Sequence, residues 1–295
     1  MFLLALILVN ISCISETKQN SMTTKDQSIN KQNQNTFKNE PIYVIEVSSS
    51  SPYELYVNDI MIDQYYEKGA IDYSLEINQW LLSSGTIPIK AKIFPKKDSH
   101  SSVIETSAIS YFEIKLSVFE KKKEKINRVL LDVFKFNIPE TIPSNSYSNT
   151  WKYEFKVPYN LKGWSNSVTL EKNEELLKET LQLYNTLKDV LNSGDINKYF
   201  SIYKNANEEF YGSNYFDKNE IKNEEEAMAI MVKNAVNNTK LDTDYNLKLY
   251  GNNKLVTLEL RDGLSPVFSD DGTNLEYFSL LLHRPSPEAP LEVIR

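Results

Sequence analysis

The chain has 295 residues, of which 41% are hydrophobic and 12% aromatic, and its formal net charge is −7. This apolar content is sufficient for folded cores, and the length accommodates two domains of ordinary size. Binding of nucleic acid depends on a concentrated basic face that releases counterions, so the acidic balance argues against nucleic acid as a partner.

A short apolar leader begins the chain and ends at Cys13, the single cysteine. Residues 8–13, LVNISC, resemble a bacterial lipoprotein signal, in which cleavage exposes the cysteine and its thiol and amine are acylated. The resemblance implies a signal peptide over residues 1–12, lipid attachment at Cys13 and a place in the bacterial cell envelope. The apolar stretch is shorter than the roughly 20 residues that span a bilayer. A plain secretory signal and a buried core cysteine remain the alternatives.

Residues 13–40 are rich in Ser, Thr, Asn, Gln, Lys and Glu, and their few apolar residues show no period. This composition predicts a disordered tether. A coil of this length has a root-mean-square reach of roughly 30 Å and a contour of about 90 Å. The tether therefore holds the folded part near a membrane but clear of the headgroups.

Residues 41–157 carry the alternation of apolar and polar residues that is typical of β-strands, with turn residues between the runs. The predicted strands cover residues 42–47, 53–57, 86–93, 111–116, 131–136 and 151–157. Pro88 cannot donate to a ladder and marks a strand start, an edge or a bulge, and residues 77–82 are compatible with a helical turn. The pattern predicts an all-β antiparallel sandwich.

After a linker over residues 158–172 the period becomes helical, with a leucine stripe between Asn173 and Asn192. Gly194 suits the left-handed position past a helix end, and Asp195 can cap the next helix. Further helices are predicted over residues 196–203 and 224–236, and strands over residues 245–250, 254–260 and 275–283. Helices followed by a meander predict an α+β domain over residues 173–295, so the whole chain is predicted to be multidomain.

The order of these helices and strands, with the turn Leu191-Asn192-Ser193-Gly194-Asp195, resembles the nuclear-transport-factor-like or cystatin-like group. The resemblance implies a cone in which a curved antiparallel sheet wraps helices. The whole chain also resembles uncharacterised bacterial envelope lipoproteins that carry a Trp/Tyr-rich bridge such as residues 153–164, YEFKVPYNLKGW. That second resemblance implies no activity.

Signals of catalysis and metal binding are weak. The two histidines, His100 and His283, fall in different predicted domains, so a histidine-based triad or a multi-histidine metal site is not expected. His283 is interpreted as a satisfied residue at a strand end rather than a base. The Asp-Gly pairs at 262–263 and 271–272 are interpreted as turns rather than cation loops. We therefore predict neither metal nor cofactor.

The aromatic residues Trp151, Tyr153, Tyr159 and Trp164 are the candidate binding residues, because such rings offer an apolar face and a polar edge. The alternative is that they join the two domains. The basic run at 121–125 is interpreted as a solvated loop, with contact to anionic lipid as the other possibility. The sequence thus predicts a membrane-tethered, non-enzymatic binding module for a protein or glycan, including an inhibitor or immunity protein. The alternative is an envelope hydrolase with its site in the C-terminal domain.

Overall fold

A computed structural model describes residues 40–96, 103–122, 127–141 and 145–295. Cys13, the predicted signal peptide, almost all of the predicted tether and His100 lie outside these ranges. The described residues form mostly antiparallel sheets together with five α-helices. The sheet-rich α+β class predicted from the sequence is therefore confirmed.

Eight strands in the first half of the chain form two four-stranded antiparallel sheets. They are β1 (Pro41–Ser49), β2 (Tyr53–Val57), β3 (Ile60–Tyr65), β4 (Ile71–Glu76), β5 (Gly85–Ile93), β6 (Glu113–Glu120), β7 (Val129–Lys135) and β8 (Tyr147–Phe155). One sheet has the order β4-β1-β6-β7 and the other the order β3-β2-β5-β8. A 3₁₀ turn at Asn78–Trp80 and helix α1 (Thr106–Tyr111) lie between strands.

Alternation within these strands produces one shared core. In β2, for example, Tyr53, Leu55 and Val57 are buried while the residues between them are partly exposed. The core includes the inward side chains of both sheets, and the ring of Tyr43 on β1 meets that of Phe155 on β8 at 5.0 Å. Side chains that alternate across a pleated strand can bury one face in this way.

The second half of the chain contains four helices and seven short strands. They are α2 (Glu174–Ser193), α3 (Ile196–Ile202), α4 (Lys204–Ser213), α5 (Lys218–Asn234), β9 (Thr239–Leu241), β10 (Asn246–Tyr250), β11 (Leu255–Glu259), β12 (Val267–Asp270), β13 (Leu275–Tyr277), β14 (Leu282–His283) and β15 (Glu292–Val293). The strands pair as β10-β11-β14-β15 and as β13-β12-β9.

The helix boundaries follow local chemistry. Asn173 caps α2 by accepting a hydrogen bond from the N–H of Leu176, and Gly194 ends α2 at φ 68°. Asp195 then caps α3 by accepting from the N–H of Lys198. The sequence-based prediction for Gly194 and Asp195 is confirmed.

The apolar stripe of α2 packs into a second core made by residues 170–293. Tyr184 is fully buried in this core. The Tyr184 hydroxyl is hydrogen-bonded to Thr257 Oγ1 at 2.8 Å and lies 3.1 Å from the carbonyl oxygen of Leu280. A buried hydroxyl needs such partners, because an unmade hydrogen bond costs about 1–3 kcal/mol.

The two halves also contact each other. Trp164, Leu255, Leu281 and Ile294 belong to the core of the first half, although all four follow residue 157. The backbone N–H groups of Gly251 and Asn252 donate to Asp59, at 3.1 and 2.8 Å. The division into domains at residues 157 and 173 remains a prediction.

Several predicted elements have different boundaries in the structure. Residues 111–112 end α1 instead of beginning a strand, and the helix predicted from residue 224 begins at Lys218. The strand predicted over residues 275–283 is split into β13 and β14. Pro88 lies within β5 opposite Lys152, and its carbonyl oxygen accepts from the N–H of Asn58 in the β2–β3 turn.

Candidate functional site

A groove of about 750 Å³ lies where the end of β6 and the start of β1 meet the junction between α4 and α5. Its lining combines carboxylates, lysines and aromatic rings. The lining residues are Glu40, Lys121, Lys122, Glu208, Tyr211, Gly212, Tyr215, Phe216, Asp217, Glu220 and Ile221.

Helix α4 contributes one wall through Glu208, Tyr211 and Gly212. These residues are spaced by three and four positions, so they lie on one face of the helix. Gly212 is exposed, and a Cβ built on it would meet no atom within 4 Å. The groove is therefore open beside Gly212.

The segment after α4 turns back through a Schellman motif. The N–H of Phe216 donates to the carbonyl of Tyr211 at 3.0 Å, and the N–H of Tyr215 donates to that of Gly212 at 3.3 Å. The rings of Tyr211 and Phe216 stack at 5.8 Å, which is the apolar contact that accompanies this motif. Tyr215 occupies the left-handed position at φ 54°, where glycine is usual, so its backbone is strained.

Helix α5 begins at the opposite wall with a capping box. The Asp217 carboxylate accepts from the N–H groups of Asn219 and Glu220, and the Glu220 carboxylate accepts from the N–H of Asp217. These backbone donors hold the pKa of Asp217 below its ordinary value. Asp217 is thus kept ionised at the rim of the groove.

Lys121, at the end of β6, connects the sheet to the segment between α4 and α5. Its Nζ donates to the carbonyl oxygen of Asn214 at 2.7 Å and lies 3.0 Å from Glu220 Oε2. It also lies 4.1 Å from the centre of the Phe216 ring, a cation–π contact. Lys122 is exposed and pairs with Glu40 at 2.6 Å. The described part of the basic run therefore lines the groove through two ion pairs; residues 123–125 lie outside the described ranges.

Two tyrosines of the lining carry hydroxyls without a hydrogen-bond partner in the structure, Tyr211 and Tyr215. The side chain of Tyr211 is 8% exposed, and burial raises its pKa to about 12, with Glu225 and Glu224 adding to the effect. Burial raises the pKa of Tyr215 further, so both hydroxyls keep their protons. Both hydroxyl oxygens are themselves buried, so neither is presented to the open space of the groove.

The four predicted binding aromatics lie elsewhere. Trp151 is half-buried on β8, and its ring meets those of Phe134 and Phe136 at 5.7 and 5.5 Å. Tyr153 is half-buried on the same strand and meets the ring of Phe155 at 5.1 Å. Both rings pack against the core of the first half.

Tyr159 and Trp164 lie at the contact between the halves. The Tyr159 hydroxyl donates to the carbonyl oxygen of Asn78 at 3.0 Å, and its ring meets Tyr215 at 5.8 Å. Trp164 is 4% exposed and packs under the guanidinium of Arg295, 5.4 Å away. The packing of Tyr159 and Trp164 agrees with the alternative that these aromatic residues join the two halves of the chain. Ligand binding by the four aromatics remains a prediction.

His283 lies at the end of β14 and is fully buried. Its Nδ1 lies 2.6 Å from Ser167 Oγ and its Nε2 lies 3.0 Å from Glu292 Oε1. Burial lowers the pKa of His283, partly opposed by Glu292. Ser167 is itself buried, and none of the three residues lines the groove. His283 is thus a hydrogen-bonded residue at a strand end, as predicted. Its partners Ser167 and Glu292 were not predicted.

A carboxylate and tyrosine cluster joins β2 to β10 and β11. The Glu259 carboxylate, 4% exposed, accepts from the Tyr250 hydroxyl at 2.9 Å, and burial raises the pKa of Glu259 to about 7. The Tyr250 ring lies 6.5 Å from that of Tyr56, whose hydroxyl donates to Glu54 at 2.7 Å. No local pattern in the sequence predicted this cluster, because its members lie on strands about 190 residues apart.

The acidic pairs form turns, as predicted. Asp270 accepts from the N–H of Gly272, whose φ is 84°, and Asp271 accepts from the N–H groups of Thr273 and Asn274. Among the described residues no group of three or more His, Cys, Asp or Glu side chains is placed to hold a metal ion.

Within the described ranges no helix is both long enough and apolar enough to cross a membrane. No protein-family model, curated protein or solved structure matches this chain.

The groove was not predicted from the sequence, although the spacing Asp217-x-x-Glu220 is a capping-box signal that marks one of its walls.

Proposed function

We propose that the protein is a lipid-tethered lipoprotein of the bacterial cell envelope and a non-enzymatic binding module for a protein or glycan. In this proposal Cys13 carries the lipid, residues 13–40 form the tether, and a sandwich over residues 41–157 and an α+β domain over residues 173–295 form the binding body. The groove between β6 and α4–α5 is the binding site.

The observation that carries the proposal is the groove. Its volume falls in the range of roughly 300–1,000 Å³ that is typical of ligand sites, and its lining combines aromatic residues with charged ones. Lys121 and the capping box of α5 fix both sides of the groove, so the site is preformed. A preformed site reduces the entropy lost on binding.

The state of the carboxylates supports binding rather than turnover. Glu40 and Glu220 are paired with lysines, and Asp217 caps a helix with a lowered pKa. A general acid near neutral pH needs a raised pKa instead. A raised pKa occurs at Glu259, which does not line the groove. An envelope hydrolase with its site in the C-terminal α+β domain is the second candidate, and turnover of an envelope substrate would favour it.

The anchor is tested by Cys13→Ser. If Cys13 is acylated, the variant should move from the membrane fraction to the soluble fraction and lose metabolic labelling with a fatty acid. Equal membrane retention of the variant and the wild type would contradict the lipid anchor.

The binding site is tested by a photo-reactive residue at Ile221, which lines the groove. Irradiation of intact membranes should give one predominant adduct, to be identified by mass spectrometry. The matched control is the same residue at Leu130 on β7, which is 55% exposed and outside the groove. Equal adducts from both positions, or none from Ile221, would contradict the proposal.

A further inference from the structure

We infer that the free edge of β8 pairs with the same edge of a second copy of this chain. Strand β8 contributes no residue to the groove, so this pairing is independent of the proposed function.

Strand β8 is the last strand of the sheet β3-β2-β5-β8, so only one of its sides is paired. The neighbouring strand shows which backbone groups face the open side. The carbonyl oxygen of Pro88 on β5 accepts from the N–H of Asn58, which follows β2, so the backbone of Pro88 points away from β8. Lys152 lies opposite Pro88, and its N–H and C=O therefore point to the open side of the sheet.

Every second residue of β8 shares this direction, because backbone groups alternate along a strand. Within the described ranges no hydrogen bond occupies the outward N–H and C=O groups of these residues. They are Ser148, Thr150, Lys152 and Glu154, and all four are exposed. The row ends at Lys156, where the Tyr43 hydroxyl donates to the C=O at 2.9 Å and accepts from the N–H at 3.1 Å. The edge thus offers four donors and four acceptors to an added strand.

The other edges of the two sandwich sheets are less suited to pairing. Strand β7 has a register shift against β6, and the N–H of Val133 is taken by the Asp132 carboxylate at 2.8 Å. Strand β3 has a register shift against β2, and its Gln64 side chain donates to Asp262 of the second half. Strand β4 exposes two carboxylates and has no lysine. Bulges and repelling charges discourage edge pairing, whereas β8 pairs with β5 over nine residues without a shift.

The sequence of β8 is complementary to itself in one antiparallel register. When Trp151 faces Trp151 of the second copy, Thr150 lies opposite Lys152 and Ser148 lies opposite Glu154, each pair occurring twice. All four outward residues then exchange hydrogen bonds with outward residues, as a two-fold contact requires. A shift by two residues either places Lys152 opposite itself, which like charges disfavour, or leaves Glu154 without a strand partner.

The side chains favour the same register. Tyr147, Trp151 and Tyr153 lie on one face of β8 and are only half-buried, so an added strand would cover apolar ring surface. The two Trp151 residues would form a non-hydrogen-bonded pair, in which side chains approach most closely. An unrelated extended peptide would supply the backbone bonds without this match of charge and rings, which favours a second copy as the occupant.

A photo-reactive residue at Ser148 reports what occupies the edge. Irradiation of intact membranes should give an adduct at twice the mass of the chain, cross-linked to residues 152–156 of the second copy. The matched control is the same photo-reactive residue at Arg261, whose side chain is 83% exposed in the second half, and there the dimeric adduct should be absent.

Variants at Thr150 test the register and the backbone bonds. Thr150→Lys creates two like-charge pairs with Lys152 and should lower the yield of the dimeric adduct by about fivefold; adding Lys152→Glu should restore it. Thr150→Pro removes an outward N–H that makes no bond to β5 and should abolish the adduct, whereas Thr150→Ala keeps that N–H and should retain it. Circular dichroism of each variant checks that the fold is kept.

An adduct with a different protein, no dimeric adduct from Ser148, or yields that both Thr150→Lys and Thr150→Pro leave unchanged would each overturn the inference. The capture experiment at Ile221 reads a different surface, so the pairing of β8 and the binding site in the groove fail separately.

Discussion

Among single residues, Glu259 is a carboxylic acid that is almost completely removed from water, with 4% of its surface exposed. Its carboxyl is buried against Tyr250, with Glu54 nearby and with Lys248 and Lys172 opposing the effect of burial. Desolvation disfavours the charged form, so the folded protein holds a proton at Glu259 that the unfolded chain releases. Its pKa rises from 4.5 to about 7 on folding.

This shift predicts a pH-dependent stability. Because the folded pKa is the higher one, the stabilisation is complete below about pH 4.5 and is lost as the pH rises through 7. Glu259→Gln mimics the protonated form. Between pH 5 and pH 8 the free energy of unfolding of the variant, measured in urea, should gain about 2–3 kcal/mol relative to the wild type.

The control for this comparison is Glu154→Gln on an exposed position of β8, where no such gain is expected. A constant difference between Glu259→Gln and the wild type across that pH range would mean that Glu259 is ionised in the folded protein at pH 5.

At the scale of elements, the end of α2 depends on a glycine. Gly194 has φ 68°, and a Cβ added there would lie 2.8 Å from Val236 Cγ2. Gly194→Ala should therefore lower the free energy of unfolding by about 1–2 kcal/mol or more, measured by chemical denaturation.

Gly212→Ala is the matched control. Its site is helical and has open space around the added Cβ, so this variant should be more stable than the wild type by about 0.5–1 kcal/mol. Equal effects of the two substitutions would contradict the account of the α2 terminus.

The same local chemistry explains how much of the fold was predictable. Strands β2 and β5 were predicted because buried and more exposed residues alternate along them, and β1 was predicted from an apolar run that is buried on both faces at its start. Strand β3 was missed because Asp63 and Gln64 are buried in it and break the pattern. Strand β4 was missed because most of its residues are exposed at a sheet edge.

Tertiary contacts account for two further differences. The strand predicted over residues 275–283 is interrupted where the Tyr184 hydroxyl, from α2, bonds the backbone of Leu280. A left-handed turn after α4 is normally signalled by glycine, but Tyr215 occupies it and packs against Tyr159. The groove depends on that turn and on Lys121 from a distant strand, so it could not be predicted from local patterns.

At the scale of the whole molecule, a buried ion pair joins parts of the chain that are far apart in sequence. Arg295 Nη1 lies 2.8 Å from Glu209 Oε2, and its Nε and Nη2 donate to the carbonyl of Gln79. Glu209 Oε1 also accepts from the N–H of Gly163 at 2.7 Å. Every nitrogen of the guanidinium therefore makes a hydrogen bond at the contact between the halves.

Glu209→Ala would leave this buried charge without its counterion. We expect a loss of about 3–5 kcal/mol in the free energy of unfolding, measured by denaturant titration. Glu208→Ala, at the adjacent exposed position, should change it by less than about 0.5 kcal/mol. Comparable losses from both variants would mean that the Glu209–Arg295 ion pair does not stabilise the contact between the halves.

If the groove is the binding site, a bulky side chain placed inside it should exclude the ligand. Gly212→Trp adds an indole beside the open space of the groove without changing any charge, and Ser148→Trp adds one on the exposed face of β8. Each is combined with the photo-reactive residue at Ile221, and the yield of the adduct is measured in intact membranes. We expect Gly212→Trp to remove the adduct and Ser148→Trp to preserve it; an unchanged yield with Gly212→Trp would show that the ligand binds elsewhere.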